Sequence, residues 1–524
     1  MLRALRNLLR LLTIARTLQR QGALEPLLPL IEGAGVAPAV LWMSRVLTRP
    51  RAGLAPDNRA GQRLAAALSE LGPAFIKLGQ MLATRADLLG DEIAADLAML
   101  QDKLPPFPAS EARGLIETEF GCPVAQLFLV FDDAPIAAAS IAQVHFATTS
   151  EGAEVAVKVL RPGIARAFDR DLDLLRWLAR VIERTRPALR RLKPREIVRT
   201  LEQSVELEMD LRFEAAAASE LAENFAGDGG YHVPKVDWRR TGRNVLTTSR
   251  VAGIRFNDRA ALVAAGHDIS ALLTKAAEAF FNQVFRDGFF HADLHPGNMF
   301  VEPDGAIAVV DFGIMGRLDR KTRFFLADML VGFLTGDYRR VAEVHFAAGY
   351  VPPHRSVDEF AQAARSIGEP ILGRPLAEIS IARLLAQLFR VTEQFEMETQ
   401  PQLLLLQKTM VLVEGVGRQL DPAVNIWAMA QPLIEQWMRD NRGPEAQLRQ
   451  RLENIVEILD GIPDLMRNLS ELVEVWSSEG VVLHAETLAA QAAHRARDLK
   501  WLIVPLCLAA GALVAIAVAL FLGR

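Results

Sequence analysis

His291-Ala292-Asp293-Leu294-His295-Pro296-Gly297-Asn298, followed after thirteen residues by Asp311-Phe312-Gly313, is the stretch on which the reading of this 524-residue chain turns. An apolar helix is predicted just before it, near Ile269–Arg286. Two short strands are predicted after it, at Met299–Val301 and Ala306–Val310, around the Asp304-Gly305 turn. Asp293 and Asn298 therefore sit on one loop, and Asp311 closes the second short strand. Hard oxygen ligands such as Asn and Asp suit magnesium that bridges phosphates. A further carboxylate can orient an attacking hydroxyl or water. Phosphoryl transfer asks little more of a protein than charge neutralisation, metal ions and a placed acceptor. Asn298 and Asp311 are the candidate metal ligands and Asp293 the candidate catalytic carboxylate. D-F-G alone is a weak signal; its order, spacing and strand–turn–strand setting give it weight. The competing reading has His291, Asp293 and His295 capping turns, or the histidines binding zinc, for which no further ligand is obvious.

The spacing matches the catalytic loop and D-F-G pair of kinases. Upstream, Pro135–Ala147 is predicted as one strand, Ser150–Ala153 as a turn and Glu154–Leu160 as a second, alternating strand. Val155-Ala156-Val157-Lys158 on that second strand resembles the V-A-I-K element, whose lysine pairs with nucleotide phosphates and a helix glutamate. The first strand lacks a Gly-rich phosphate loop and has Ala137-Ala138-Ala139-Ser140 instead. Alanine lets backbone N–H groups approach a phosphate but does not take positive φ cheaply, so a stiffer loop is expected. The nucleotide-binding candidates are Ala137, Ala138, Ala139, Ser140, Ile141, Ala142, Gln143, Val144 and Lys158. The cofactors implied are ATP and Mg2+.

The ends point to a membrane. Leu502–Leu522 carries no charge and is long enough to span a bilayer as a helix. Arg495, Arg497 and Lys500 precede it, which places the main body on the cytoplasmic side. The first twenty residues hold Arg3, Arg6, Arg10, Arg16 and Arg20 and no acid, with Leu5, Leu8, Leu9 and Leu12 at helical spacing. An interfacial helix, a mitochondrial transit segment (though one without Ser) and an ordinary surface helix all fit this pattern. Two cysteines, Cys122 and Cys507, exclude a disulfide framework. A net charge of −4 gives no global signal for nucleic acid. Flavin, haem and 2-His-1-carboxylate signatures are absent, so a hydroxylase finds no support.

Ala137–His145 (A-A-A-S-I-A-Q-V-H), Lys77-Leu78-Gly79-Gln80, Glu208-Met209-Asp210, H-x-D-x-H-P-G-N and D-F-G together resemble the UbiB family of atypical kinases, over about residues 60–430. Gln407-Lys408-Thr409 and Glu414–Pro422 resemble its bacterial members. The resemblance implies an α+β, two-lobed protein-kinase-like fold with an N-terminal helical extension, to which the C-terminal transmembrane helix is added. It also implies a link to ubiquinone biosynthesis. The expected organisation is an N-terminal helical segment over 1–56 and a helical extension with the K-x-G-Q motif over 57–130. A kinase-like N-lobe with inserted helices follows over 131–255, then a helical C-lobe over 256–480, a linker over 481–500 and the transmembrane helix over 501–522. In the family the K-x-G-Q helix covers the cleft where a peptide would sit, so Lys77 and Gln80 form a lid with Glu208 and Asp210. Two acids two residues apart diverge on a regular helix. One of them faces Lys77 while the other bonds elsewhere, or the helix ends there. Glu214 is the candidate helix partner of Lys158.

Two departures from ordinary protein kinases bear on the acceptor. Ala292 replaces the Arg of H-R-D, and no A-P-E-like segment follows Asp311. The expected function is an ATPase or phosphotransferase supporting ubiquinone biosynthesis. The alternatives are a protein kinase acting on a biosynthetic enzyme and a non-catalytic ATP-gated lipid or scaffold module. Implied partners are ATP, membrane lipids, a polyprenyl-phenol or other ubiquinone precursor, and ubiquinone-biosynthetic enzymes, without nucleic acid. A bacterial inner membrane is the expected location, with the mitochondrial inner membrane as alternative.

Overall fold

The computed structural model describes residues 2–23, 59–83, 91–98, 105–185, 194–370 and 391–442, apart from five isolated positions near 393–425. The proposed membrane segment 501–522 and the linker 481–500 lie outside these residues. Among the described residues no helix is long and apolar enough to cross a membrane. The chain divides into two compact units, 1–438 and 439–524, and only the first residues of the second, up to Arg442, are described.

Helix α1 (Leu2–Arg20) precedes α2 (Ala60–Leu71) and α3 (Pro73–Ala83). Gly72 breaks the last two apart at φ +109°, a conformation that L side chains rarely adopt, and Pro73 then opens α3, where its missing N–H costs nothing. Ile14 and Leu18 of α1 pack on a small core with Leu64, Leu68, Phe75 and Ile76. Three of its arginines are spent on acids. Arg10 pairs with Asp171 at 2.9 Å, Arg6 with Asp173 at 3.2 Å, and Arg20 with Glu70. Arg10 also donates to the Leu71 carbonyl at 2.9 Å. The apolar stripe thus seats α1 on α2 and α3, as a surface helix of the fold.

Helices α4 (Asp91–Ala98), α5 (Ala109–Phe120) and α6 (Val124–Leu127) lead into the first sheet. Its strands are β1 (Phe128–Phe131), β2 (Ala137–Ala138), β3 (Ala142–Thr149), β4 (Glu154–Leu160) and β6 (Val245–Ser249), in the order β1-β3-β4-β6, with β2 added on β3. Val155, Val157 and Val159 alternate inward and meet Ala112 and Ile116 of α5, which sends Lys158 to the opposite face. The single run expected over Pro135–Ala147 is not continuous. β2 folds back antiparallel on β3, Ala137 opposite Val144 and Ala138 opposite Gln143. The Ala139 N–H donates to the Ala142 carbonyl at 2.8 Å and closes the loop between them. Hydrophobicity along the run gave no sign of this reversal, because the residues around it, 136–142, are all small or apolar.

Helices α7 (Ile164–Thr185), α8 (Pro194–Glu208) and α9 (Leu211–Asn224) separate β4 from β5 (Tyr231–His232) and β6. Beyond β6 come β7 (Ile254–Arg255), α10 (Arg259–Ala264) and α11 (Ile269–Phe281), whose end loosens into a π-helical turn over Asn282–Asp287. β8 (Phe289–His291), β9 (Met299–Val301), β10 (Ile307–Val309) and β11 (Met315–Arg317) follow. They form a sheet β5-β10-β9-β7 and a pair β8-β11. The helices α12 (Arg320–Thr335), α13 (Tyr338–Ala347), α14 (Val357–Gly368), α15 (Pro401–Leu420) and α16 (Ile426–Arg442) complete the described chain. A small β-rich lobe and a larger helical lobe give a kinase-like α+β architecture. The main core joins α11, β8–β10 and α15.

The catalytic-loop stretch leaves the β8–β11 pair at His291, the last residue of β8, and Gly316 of β11 faces the ring of Phe290. A Cβ at Gly316 would enter that ring. Gly316→Ala is expected to cost about 1–3 kcal/mol by overpacking, read as a lower denaturant midpoint, whereas Gly114→Ala, with open space around it inside helix α5, should raise the midpoint, because alanine is favoured over glycine in a helix interior by about 0.5–1 kcal/mol.

Candidate nucleotide site

Lys158 of β4 joins the small sheet to residues of α9 and of the segment after β10. Its Nζ donates to both oxygens of Glu214, at 2.7 and 2.9 Å, and to Asp311 Oδ1 at 3.0 Å. Each partner arrives by a separate local rule. Strand alternation turns Lys158 away from the valines. Glu214 lies in the first turn of α9, whose N-cap is Asp210. That carboxylate accepts the Arg212 N–H at 3.1 Å and satisfies a helix donor that would otherwise lack a partner. Asp311 follows β10 in a left-handed backbone conformation, φ +67°, which is uncommon for a residue with a Cβ. Such strain persists only where surroundings impose it, and it clusters at functional sites.

The electrostatics follow from this geometry. Burial opposes the Lys158 ammonium, but Asp311 and Glu214 prevail and hold it charged well above its ordinary range. The Lys158 charge holds the Asp311 carboxyl far below the usual carboxylate range, against its desolvation. Burial pushes Glu214 up, with the like charge of Asp311 adding to it and Lys158 opposing. The three groups form a triad of one ammonium and two carboxylates, in which Lys158 and Glu214 are largely buried and Asp311 is half exposed.

The catalytic loop is braced by its own side chains. Burial lowers the His291 pKa, so the ring is neutral. Its Nδ1 accepts the Asp293 N–H at 3.1 Å, which leaves the proton on Nε2, 3.4 Å from the Val310 carbonyl. His295 Nδ1 accepts the Gly297 N–H at 3.0 Å and caps the turn Pro296–Asn298. Both histidines therefore cap turns. Among the described residues no group of three or more His, Cys, Asp or Glu side chains is placed to hold a metal ion. Asn298 Nδ2 donates to the Asp293 carbonyl at 3.1 Å, so its amide oxygen is presented as an acceptor. That oxygen and the Asp311 carboxylate, 49% exposed, are hard donors fitting magnesium.

The lid residues are also brought together. Lys77, buried on α3, meets Glu208 Oε2 at 2.9 Å, and Glu208 is the last residue of α8. Asp210 does not join them, because it caps α9 and binds the Arg212 guanidinium, Nη2 at 2.6 Å. The E-x-D pair thus ends one helix against the lid and starts the next under Lys158. Gln80 lies on the same helix as Lys77, partly buried.

The small-residue loop divides. Val144 lies opposite Lys158 and shares its face of the sheet. Gln143 does not: it is fully buried on the other face, where its amide bonds both the Phe107 backbone, at 3.0 and 3.2 Å, and His145 Nε2, at 2.8 Å. It serves as a brace inside the small lobe, facing away from Lys158. Arg161 holds the Ala139 carbonyl at 2.8 and 3.0 Å. Ser140 Oγ is buried without a hydrogen-bond partner. Ala137, Ala138, Ile141 and Ala142 form the remaining walls of this turn.

One contact was not anticipated from the sequence. Lys408 Nζ of α15 lies 3.0 Å from Asp293 Oδ1. The motif Gln407-Lys408-Thr409 was legible, but nothing local to it names a partner 115 residues away. Ala292, in the place of the H-R-D arginine, is wholly buried. Only residues 312–319 separate Asp311 from α12, so no extended activation segment follows the D-F-G.

Comparison with known proteins agrees with this geometry. The chain matches the ABC1 atypical kinase-like domain over residues 99–345 and the UbiB helical domain over 364–425. It is 44% identical over 466 residues to a "Probable protein kinase UbiB" of Xanthomonas axonopodis pv. citri, covering 86% of this chain and 82% of that one. The chain belongs to the UbiB family. A "Probable protein kinase UbiB" of Marinobacter nauticus is 44% identical over 428 residues, 81% of this chain and 78% of the other. Among solved structures, a Mycobacterium tuberculosis protein in complex with erythromycin shares 27% identity and a TM-score of 0.51, over 72% of this chain and 95% of its own. In UbiB-family terms, the Lys158, Asp293, Asn298 and Asp311 set lies within the kinase-like domain, and Lys408 lies in the helical domain.

Lys158→Met removes the cation and leaves Glu214 and Asp311 facing one another. Glu214, already raised, should rise further. A raised acid contributes stability below its unfolded pKa, 4.5, and loses it as pH increases through the folded value. The variant should therefore be most stable in mild acid and fall behind wild type by on the order of 3 kcal/mol at neutral pH. Melting midpoints across the range from acid to neutral check this; a constant difference between the two proteins would contradict it.

Proposed function

We propose that this protein binds Mg-ATP in the cleft and hydrolyses it or transfers its terminal phosphoryl group, at a membrane, in support of ubiquinone biosynthesis. The observation that carries the reading is Lys158 held between Glu214 and Asp311, with the amide oxygen of Asn298 presented on the adjoining loop. Lys158 is placed to meet the nucleotide phosphates. Asn298 and Asp311 would hold magnesium, which supplies charge neutralisation at the phosphates. Asp293 would orient the acceptor oxygen and take its proton. The unmet Ser140 hydroxyl, a cost of about 1–3 kcal/mol, would be relieved by a phosphate oxygen reaching the small-residue loop.

The membrane part of the proposal rests on the uncharged Leu502–Leu522 segment and its basic N-terminal flank, which orient a single span with the body in the cytoplasm of a bacterial cell. The substrate side rests on the family. A polyprenyl-phenol or another ubiquinone precursor would be held near that membrane.

The names of the relatives favour a second reading, a protein kinase acting on a biosynthetic enzyme. Two features weigh against a peptide acceptor. The lid helix is tied down by the Lys77–Glu208 pair, both largely buried, and residues 312–319 are too few to form a peptide platform. A non-catalytic, ATP-gated module is the third reading, and it differs in what Asp293 must do.

The deciding experiment is ATP turnover by the full-length protein in liposomes, with and without a substituted phenol. Wild type should turn over slowly and faster with lipid and phenol. Asp293→Asn should lower kcat by about 10²–10⁴-fold while still binding Mg-ATP, and Asp311→Asn should lose Mg-ATP affinity. Undiminished Mg-ATP binding by Asp311→Asn would remove the metal assignment. Full complementation of a ubiquinone-deficient strain by Asp293→Asn would favour the non-catalytic module.

A further inference from the structure

The catalytic loop brings no permanent cation of its own. From Phe289 to Met299 the only basic side chains are His291 and His295, and Ala292 stands where the kinase motif has arginine. His291 is spent on the Asp293 N–H and the Val310 carbonyl. Lys158 is engaged by Glu214 and Asp311. A carboxylate that meets the terminal phosphate of ATP needs compensation for its own charge and for that of the phosphate.

Lys408 supplies a cation at that place. Its ammonium lies 3.0 Å from Asp293 Oδ1, with side chains 37% and 27% exposed, so the pair is open on one side. The backbone that carries it is fixed. Leu406, Val416 and Leu420 of α15 are buried in the main core, Thr409 Oγ1 donates to the Leu405 carbonyl at 2.8 Å, and Arg259 Nε donates to the Leu420 carbonyl at 2.8 Å. A flexible four-carbon stem on a rigid helix lets the ammonium move between two neighbouring anions while its origin stays put.

We propose that Lys408 is the phosphate-facing cation of this site: it holds Asp293 before nucleotide arrives and binds an oxygen of the terminal phosphoryl group when ATP is present. The helical domain thereby contributes to a site otherwise built from the kinase-like domain. In the transfer step, the bond from the terminal phosphorus to the ADP oxygen breaks and the bond to the acceptor oxygen forms. The acceptor proton passes to Asp293, and Lys408 remains an ammonium throughout. This inference rests on the reading of the cleft as an Mg-ATP site, and the bland alternative is a tether between α15 and the loop.

The two are separated by affinity for Mg-ADP and for a non-hydrolysable Mg-ATP analogue, measured by calorimetry on the full-length protein in lipid. Lys408→Met should weaken the analogue about tenfold or more and leave Mg-ADP within about twofold. Lys408→Arg should retain most of the preference for the triphosphate. Asp293→Asn, which breaks the pair but keeps the lysine, should preserve or strengthen it. Equal loss for both nucleotides, no loss for either, or a matching loss of preference in Asp293→Asn overturns the proposal in favour of the tether. Lys408→Gln repeats the comparison should the methionine variant not fold. Wild-type protein that binds neither nucleotide overturns this inference together with the nucleotide reading. Wild-type protein that binds the analogue, with Asp311→Asn defective and Lys408→Met normal, overturns this inference alone.

Discussion

One ammonium, Lys158, holds two carboxylates that the chain brings from opposite directions. Glu214 comes from a helix inserted after β4, and Asp311 from the end of β10 in the larger lobe. Removing two acids from water is costly unless a cation compensates them, and removing the cation alone leaves an uncompensated pair. The lobes are therefore joined across the cleft by an interaction neither can satisfy by itself. Such a triad is weak as a source of net stability. What it gives is registration, because β4, α9 and the D-F-G turn must all be correctly placed before the three groups meet.

Registration then spreads outward through short covalent links. Asp210 caps α9 and so places Glu214, while Glu208, two residues earlier, ends α8 on Lys77. A helix boundary thus couples the lid to the nucleotide cleft. Two acids at i and i+2 cannot share a face of a continuous helix, and the break between α8 and α9 is what lets both be used. On the other side, Phe312 packs against His291 with ring centroids 5.6 Å apart, so the D-F-G turn and the catalytic loop support each other.

The parts legible in the sequence were those with a local or periodic signature. Alternation over Glu154–Leu160 placed Lys158 on the face away from the valines, and Gly72-Pro73 marked the break between α2 and α3. The spacing of Asp293, Asn298 and Asp311 pointed to a phosphate and metal site, and the candidate partner Glu214 does meet Lys158. What was not legible depended on tertiary choices. Whether Gln143 faces the cleft or the small-lobe core is a matter of one residue of strand register, and the composition Ala-Ala-Ala-Ser-Ile-Ala-Gln carries no alternation to fix it. The reversal at Ala139–Ala142 is stabilised by Arg161, whose side chain reaches back 22 residues. The Lys408–Asp293 contact joins residues 115 apart in the sequence.

The last of these has a consequence for how the family's two domains relate. A kinase-like domain ending near residue 345 would contain Lys158, Asp293, Asn298 and Asp311, yet its catalytic carboxylate would lack the partner it has here. Ala292 makes this more acute. In the common kinase motif an arginine precedes the aspartate, whereas here that place is held by Ala292, buried in the main core. The cation that does meet Asp293 comes from α15, a helix anchored by burial of Leu406, Val416 and Leu420. The helical domain thus reaches the Asp293 loop through Lys408, and the position of that lysine follows from the apolar contacts that hold α15 in the core.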